Sequence, residues 1–210
     1  MKDLSGIKNI IFDLGGVLLN LDFQLTQQAF VSLGIVDFES YYSKAKQNGL
    51  FDAFETGKIT EADFCDEIRK LSGIKSGNEE IIIAWNAMLL NFPKVRKELL
   101  LRLKYIYKIS LLSNTNETHV RAFNLIIEKD INEKELAPLF HTHYYSNEIG
   151  LRKPTAAIFN YVLKQNNYIA EETLFLDDSI QHIKGAQECG IRTIHIQDKP
   201  VEELFANFLA

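Results

Sequence analysis

The sequence predicts an α/β fold: a parallel sheet with helices on both faces, and a block of helices inserted after the first strand. Three observations predict it. Short β-rich runs alternate with helical periodicity in both end regions of the chain. The runs Ile10-Ile11-Phe12 and Leu174-Phe175-Leu176 are continuously apolar, as in strands covered on both sides. Between Asp22 and about Asn91 the strand pattern stops and amphipathic helical patterns replace it.

The first strand is the run Ile7 to Phe12, which ends in Asp13 and the flexible turn Leu14-Gly15-Gly16-Val17-Leu18. Helices are predicted near 23–33, 38–49, 60–71 and 79–91, punctuated by Gly34, Gly49, Gly57 and Gly73. Thr60 before Glu61-Ala62-Asp63 and Asn78 before Glu79-Glu80 are good helix starts, because a side-chain oxygen and early carboxylates satisfy the free N–H groups of a first turn. Pro93 marks the return to the sheet, which gains strands at Tyr107 to Leu112, Thr142 to Tyr145, Thr173 to Leu176 and Ile191 to Ile196. A helix from Thr155 to about Gln165 follows Pro154, and Glu128 to Glu135 reads as a solvated helix end and loop. The expected organisation is an α/β core of residues 1–21 and 92–210 with a helical insert at 22–91. The strands at Ile10–Phe12 and Leu174–Leu176 are expected at the sheet centre.

At 210 residues with 46% apolar and 24% charged side chains, the chain can build one packed domain plus an insert. A net charge of -5 and the lack of a Lys/Arg block argue against nucleic acid and against a polybasic membrane surface. No apolar run approaches the length of a membrane span, and the first residues lack the apolar segment of a signal peptide, so a cytoplasmic location is expected. Cys65 and Cys189 have no paired spacing, which speaks against a disulfide framework or a zinc site. Oligomeric state is not legible: Phe51, Phe54 and Phe64 suit an internal core and an interface equally well.

Three strand ends carry polar groups that can share one crevice: Asp13, Ser113 and the pair Asp177-Asp178. Taken singly, each has a plain structural reading as a turn or helix cap. Together they suit phosphoryl chemistry. A carboxylate attacking a phosphate dianion needs a cation and several donors to offset repulsion. Asp177 and Asp178 with Asp13 form a hard-oxygen set suited to Mg²⁺. The Ser113 hydroxyl and the N–H groups of Asn114 and Thr115 can hold phosphoryl oxygens, while Lys153, held extended before Pro154, can carry its ammonium into the crevice. Arg152 reads as a surface residue or a second donor, His182 as a group that orients a carboxylate or contacts Lys153, His141 and His143 as structural or surface residues, and Trp85 as packing within the insert.

Phe12-Asp13-Leu14-Gly15-Gly16-Val17-Leu18, Leu112-Ser113-Asn114-Thr115, Arg152-Lys153-Pro154 and Leu176-Asp177-Asp178-Ser179 follow one another in an order that resembles the four motifs of haloacid dehalogenase-like hydrolases. The resemblance spans essentially the whole chain and points to the subgroup with a helical cap after the first motif. It implies a Rossmann-like core, a phosphoaspartyl mechanism with Asp13 as nucleophile, and Mg²⁺ held by Asp13, the Gly15 carbonyl and Asp178, with Asp177 acting through water. Ser113, Asn114 and Lys153 would then bind the phosphoryl group of a small phosphorylated metabolite. Asp13-Leu14-Gly15 also resembles the first motif of bacterial α-D-glucose-1-phosphate phosphatases, which implies a sugar phosphate.

One position departs from that pattern. Most phosphatases of the superfamily carry a proton-transferring aspartate where this chain has Gly15. The departure leaves three readings: an easily expelled leaving group, a replacement acid such as Asp22, or ligand binding without efficient turnover. Asp22 also reads as the N-cap of the helix starting near Phe23. A metal-independent carbon–halogen hydrolase is the competing enzyme reading.

Overall fold

The computed structural model describes residues 4–38, 42, 45, 49–197 and 199–209. Five parallel strands form one sheet: β1 (Asn9–Phe12), β2 (Lys108–Ser113), β3 (Thr142–Tyr145), β4 (Thr173–Asp177) and β5 (Arg192–His195), in the order β3-β2-β1-β4-β5. β1 is therefore the central strand and β4 its inner neighbour, as their apolar runs predict. The register pairs Phe12 with Leu111 on one side and with Leu176 on the other. All five strands fall within a residue or two of their expected limits.

Successive β1 side chains enter opposite cores, as the period of two requires. Ile10 and Phe12 join Leu99, Leu103, Phe123 and Ile127 on one face, from helices α5 (Lys94–Ile106) and α6 (Glu117–Ile131). Ile11 joins Leu112, Phe159, Phe175 and Ile183 on the other, where α8 (Ala156–Asn166) and α9 (Ile180–Glu188) pack. α7 (Ser146–Ile149) follows β3, and α10 (Val201–Leu204) closes the chain over the first face.

The insert carries α1 (Phe23–Ser32), α2 (Leu50–Glu55), α3 (Glu61–Ser72) and α4 (Asn78–Asn86) around a separate apolar cluster that includes Phe30, Phe54, Phe64, Ile68, Ile81 and Trp85. Thr60 and Asp63 form a reciprocal capping box at the start of α3, and Gly73 ends that helix in a left-handed conformation. Most of the helix expected at 38–49 lies outside the described residues.

Two features differ from expectation. α4 ends at Asn86, short of 91, because the backbone beyond it pairs with the outgoing chain instead: Asp22 N–H donates to Met88 O (2.9 Å), Leu90 N–H to Asn20 O (3.0 Å) and Asn20 N–H to Asn91 O (3.0 Å). The insert thus leaves and returns through a paired, two-stranded neck. The second difference is α2, six residues bracketed by Gly49 and Gly57, too short for periodicity to reveal. No helix among the described residues is long and apolar enough to cross a membrane.

Candidate active site

β1 and β4 leave the sheet side by side at the point where the strand order reverses, the place where open α/β sheets collect ligands. Asp13 N–H donates to Leu176 O (2.9 Å), which ties the two strand ends together. The turn after Asp13 folds back tightly, with Leu18 and Leu19 N–H both donating to Leu14 O (2.8 Å). Gly16 is required there twice over. Its φ is +71°, and a Cβ would lie 2.1 Å from Asp178 Oδ2, so the absence of a side chain lets the β4 loop close on the β1 loop. At Gly15 a Cβ would lie 2.7 Å from a Leu21 methyl, so Leu21 occupies the space in which a side chain would begin.

Lys153 organises the site. It is fully buried, and its ammonium lies 2.7 Å from Asp13 Oδ1, 2.7 Å from Asp177 Oδ2 and 3.1 Å from the Leu112 carbonyl. Each of its three protons has an acceptor. Asn114 fixes this segment, donating to the Lys153 carbonyl (3.0 Å) and accepting from the Lys153 N–H (2.9 Å) through its side chain. Asp177 receives further bonds from Ser179 N–H (2.8 Å) and His182 Nδ1 (2.9 Å). Burial opposes ionisation of Asp177, but Lys153 and His182 outweigh it and hold its carboxyl below the usual range. Asp13 is pushed the other way, upward, by burial and by Asp177, with Lys153 pulling against them. Burial and Asp177 also raise Asp178, which is exposed at the mouth of the site.

Three carboxylates therefore face one ammonium. That donor set fits a hard divalent cation, which takes oxygen ligands and removes the excess negative charge. Asp13, Asp177 and His182 also bring ligand atoms within 4.8 Å of one another. His182 Nδ1, however, is committed to Asp177, the orienting role expected of it.

Several expectations change. Thr115 N–H donates to Ser146 Oγ (2.9 Å), so it is not available to a phosphoryl oxygen; the Asn114 side chain holds Lys153, a bond that does not involve the Asn114 N–H. The buried Ser113 remains at the β2 terminus beside Lys153. Asp22 is the N-cap of α1, accepting from Gln24 N–H (2.9 Å), which is its structural reading. His141 Nδ1 accepts from Ile109 N–H, a structural role as expected. Arg152 is not a plain surface residue. It pairs with Asp52 and with Glu55 (2.8 Å), both on α2, and links the insert to the core. Trp85 packs in the insert as foreseen and also stacks on His119 of α6 at 5.2 Å.

Glu55 is the residue sequence reasoning missed. Burial pushes its carboxyl up to about 7 although the Lys153 ammonium draws it down. The available signal was the spacing of Asp52 and Glu55, one helical turn apart between two glycines.

This fold and this constellation define a hydrolase of the haloacid dehalogenase type. The chain belongs to the haloacid dehalogenase-like hydrolase family, whose model matches residues 7–190. Among its relatives is a D-ribitol-5-phosphate phosphatase of Bacteroides thetaiotaomicron, 33% identical over 187 residues that cover 89% of this chain and 90% of the relative. A solved haloacid dehalogenase family enzyme of the same organism, in complex with magnesium and inorganic phosphate, superposes with a TM-score of 0.83 at 34% identity, covering 95% of this chain and 99% of that one. A related hydrolase from Porphyromonas gingivalis gives a TM-score of 0.85 at 26% identity, with 98% of each chain covered.

Proposed function

We propose that this protein is a Mg²⁺-dependent phosphatase that hydrolyses a small sugar or polyol phosphate through a phosphoaspartyl intermediate on Asp13. The observation that carries the reading is Asp13 held 2.7 Å from the fully buried Lys153 ammonium, which itself is braced by Asp177 and Leu112 O. A carboxylate fixed by a buried cation loses little freedom on reaching the reacting geometry. The relative that acts on D-ribitol 5-phosphate supports a polyhydroxylated substrate, and the related structure with magnesium and phosphate supports the metal.

In this reading Asp13, the Gly15 carbonyl and Asp178 hold Mg²⁺, and Asp177 acts outside them. When bound, the ion shields the charge between the attacking carboxylate and the phosphate dianion. Asp13 attacks phosphorus in line, Ser113 Oγ binds a phosphoryl oxygen, and the Lys153 ammonium offsets the phosphoryl charge while it holds Asp13 in place. Water then releases phosphate and restores the carboxylate. Residues 22–91 act as a cap that excludes bulk water and selects the substrate, seated on the core by Arg152 with Asp52 and Glu55, and by Trp85 on His119.

The test is a screen of phosphorylated sugars and polyols, D-ribitol 5-phosphate and D-glucose 1-phosphate among them, with Mg²⁺ and with Asp13→Asn as the blank. Phosphate release is expected from the native protein alone, and it should cease on chelation. Equal release from both proteins would refute the nucleophile; release that survives complete chelation would refute the metal.

A further inference from the structure

Gly15 leaves the turn after β1 without a proton carrier, Leu21 fills the space where one would begin, and Asp22 caps α1. An acid that the insert brings within reach of the Lys153 charge is Glu55, the last residue of α2. Its position is fixed from two sides. Arg152, the residue before Lys153, lies 2.8 Å from Glu55 Oε2. Just beyond Glu55 the chain turns at Gly57, with φ +65° and with space for a Cβ only 2.3 Å from the Asn147 carbonyl, so this end of α2 lies directly on the core segment that leads to Lys153. The Glu55 side chain is 20% exposed, and Oε2, although ion-paired, lies outside hydrogen-bond alignment with any partner among the described residues. It is a shielded carboxyl held by charge where the insert meets the core.

Resting on the phosphoaspartyl reading, we propose that Glu55 is the catalytic acid and base of this enzyme, delivered by the insert in place of the aspartate that Gly15 lacks. In the first half-reaction Asp13 Oδ bonds to phosphorus, the bond from phosphorus to the ester oxygen breaks, and the electron pair left on that oxygen takes the Glu55 proton to give the alcohol. In the second, a water oxygen bonds to phosphorus, Glu55 accepts the water proton, and the bond from phosphorus to Asp13 breaks. Phosphate leaves, Asp13 is a carboxylate again and Glu55 is protonated again. Because Glu55 comes from the insert, proton transfer is possible only when the insert is seated on the core.

The charges around Glu55 suit both roles. Asp52 shares its helix, Arg152 and Lys153 face it from the loop after α7, and the Tyr42 phenol lies close enough to be raised by its charge. Burial pushes the Glu55 carboxyl up to about 7, so it is protonated below neutrality and ionised above. kcat/KM for an alkyl phosphate should therefore fall as pH rises through about 7, and general acid catalysis of this kind is worth roughly 10²- to 10⁴-fold.

The experiment compares Glu55→Gln, Glu55→Asp and Asp13→Asn on the best substrate of the screen and on p-nitrophenyl phosphate, whose leaving group needs no proton. With the alkyl substrate, Glu55→Gln is expected to lose roughly 10²- to 10⁴-fold in kcat together with the alkaline limb of the pH profile. With p-nitrophenyl phosphate it should release a burst of nitrophenol equal to the enzyme, followed by slow turnover, because only dephosphorylation then lacks its base. Glu55→Asp should turn over slowly and keep the limb. Equal losses on both substrates without a burst, or a limb unchanged in Glu55→Gln, would overturn the proposal and leave Glu55 as a clamp for Arg152. Activity retained by Asp13→Asn would instead overturn the phosphoaspartyl reading itself.

Discussion

Replacing Lys153 by methionine should remove a large part of the stability of this fold. The ammonium is fully buried between Asp177, whose side chain is also fully buried, and Asp13, whose side chain is 9% exposed, at 2.7 Å from each. Methionine preserves most of the stem volume, so the cavity term is small and the loss is electrostatic. Breaking a buried ion pair by removing one partner costs about 3–5 kcal/mol. That is a large share of the roughly 5–15 kcal/mol that holds an ordinary domain together, and for a chain of this length it corresponds to a drop in Tm of about 6–20 °C. Urea unfolding in the presence of a chelator measures it, with an unchanged slope confirming that the native surface is intact. The loss should be smaller at pH 5 than at pH 9. Asp13, already raised, is raised further without the lysine, so the folded state takes up a proton as pH falls and the repulsion with Asp177 is relieved. Added Mg²⁺ should restore part of the loss by linkage, since a cation that binds only the folded state stabilises it. Stability within about 1 kcal/mol of the native protein at pH 9 would refute the reasoning, since a buried carboxylate pair left without its cation cannot be that cheap.

Asp22→Ala should cost about 0.5–2 kcal/mol through loss of the α1 cap and leave kcat unaltered; a hundredfold fall in turnover of the folded variant would return Asp22 to the chemistry. His119, stacked on Trp85, has its pKa lowered from 6.5 to about 4, chiefly by burial. The unfolded chain therefore binds the proton first, and stability should decline as pH falls from 6.5 to 4, with a slope of at most about 1.4 kcal/mol per pH unit. His119→Gln should flatten that part of the curve, as followed by urea unfolding at a series of pH values, and an unchanged slope would show that other groups set it.

The sheet was legible because its signals are local. Ile10-Ile11-Phe12 and Leu174-Phe175-Leu176 can be apolar throughout only where both faces are covered, and the structure has them as adjacent inner strands. The four chemical segments were legible because each sits directly after a strand or before a proline, where backbone geometry restricts what a side chain can reach. The contacts between insert and core were not legible. Arg152 and Asp52 are a hundred positions apart, and nothing in the sequence around either shows that they meet. Thr115 was misread for a similar reason: its N–H faces Ser146, a residue that only the pairing of β2 with β3 brings alongside. Glu55 was hidden because α2 is a helix of six residues, too short to impose a period on the sequence.

The placement of residues 22–91 in the chain between β1 and its sheet partners also sets the order in which the molecule is built. The register partners of β1 begin at Lys108 and Thr173, well after it in the chain, so the whole insert is made before the central strand has a neighbour. At a synthesis rate of about 5–20 residues per second, Ile10, Ile11 and Phe12 stay unpaired for roughly five to twenty seconds while the insert can already gather its own apolar cluster. The strand at the middle of the finished sheet thus waits for its partners while the insert can already fold. Its safe passage depends on whatever shelters a nascent chain.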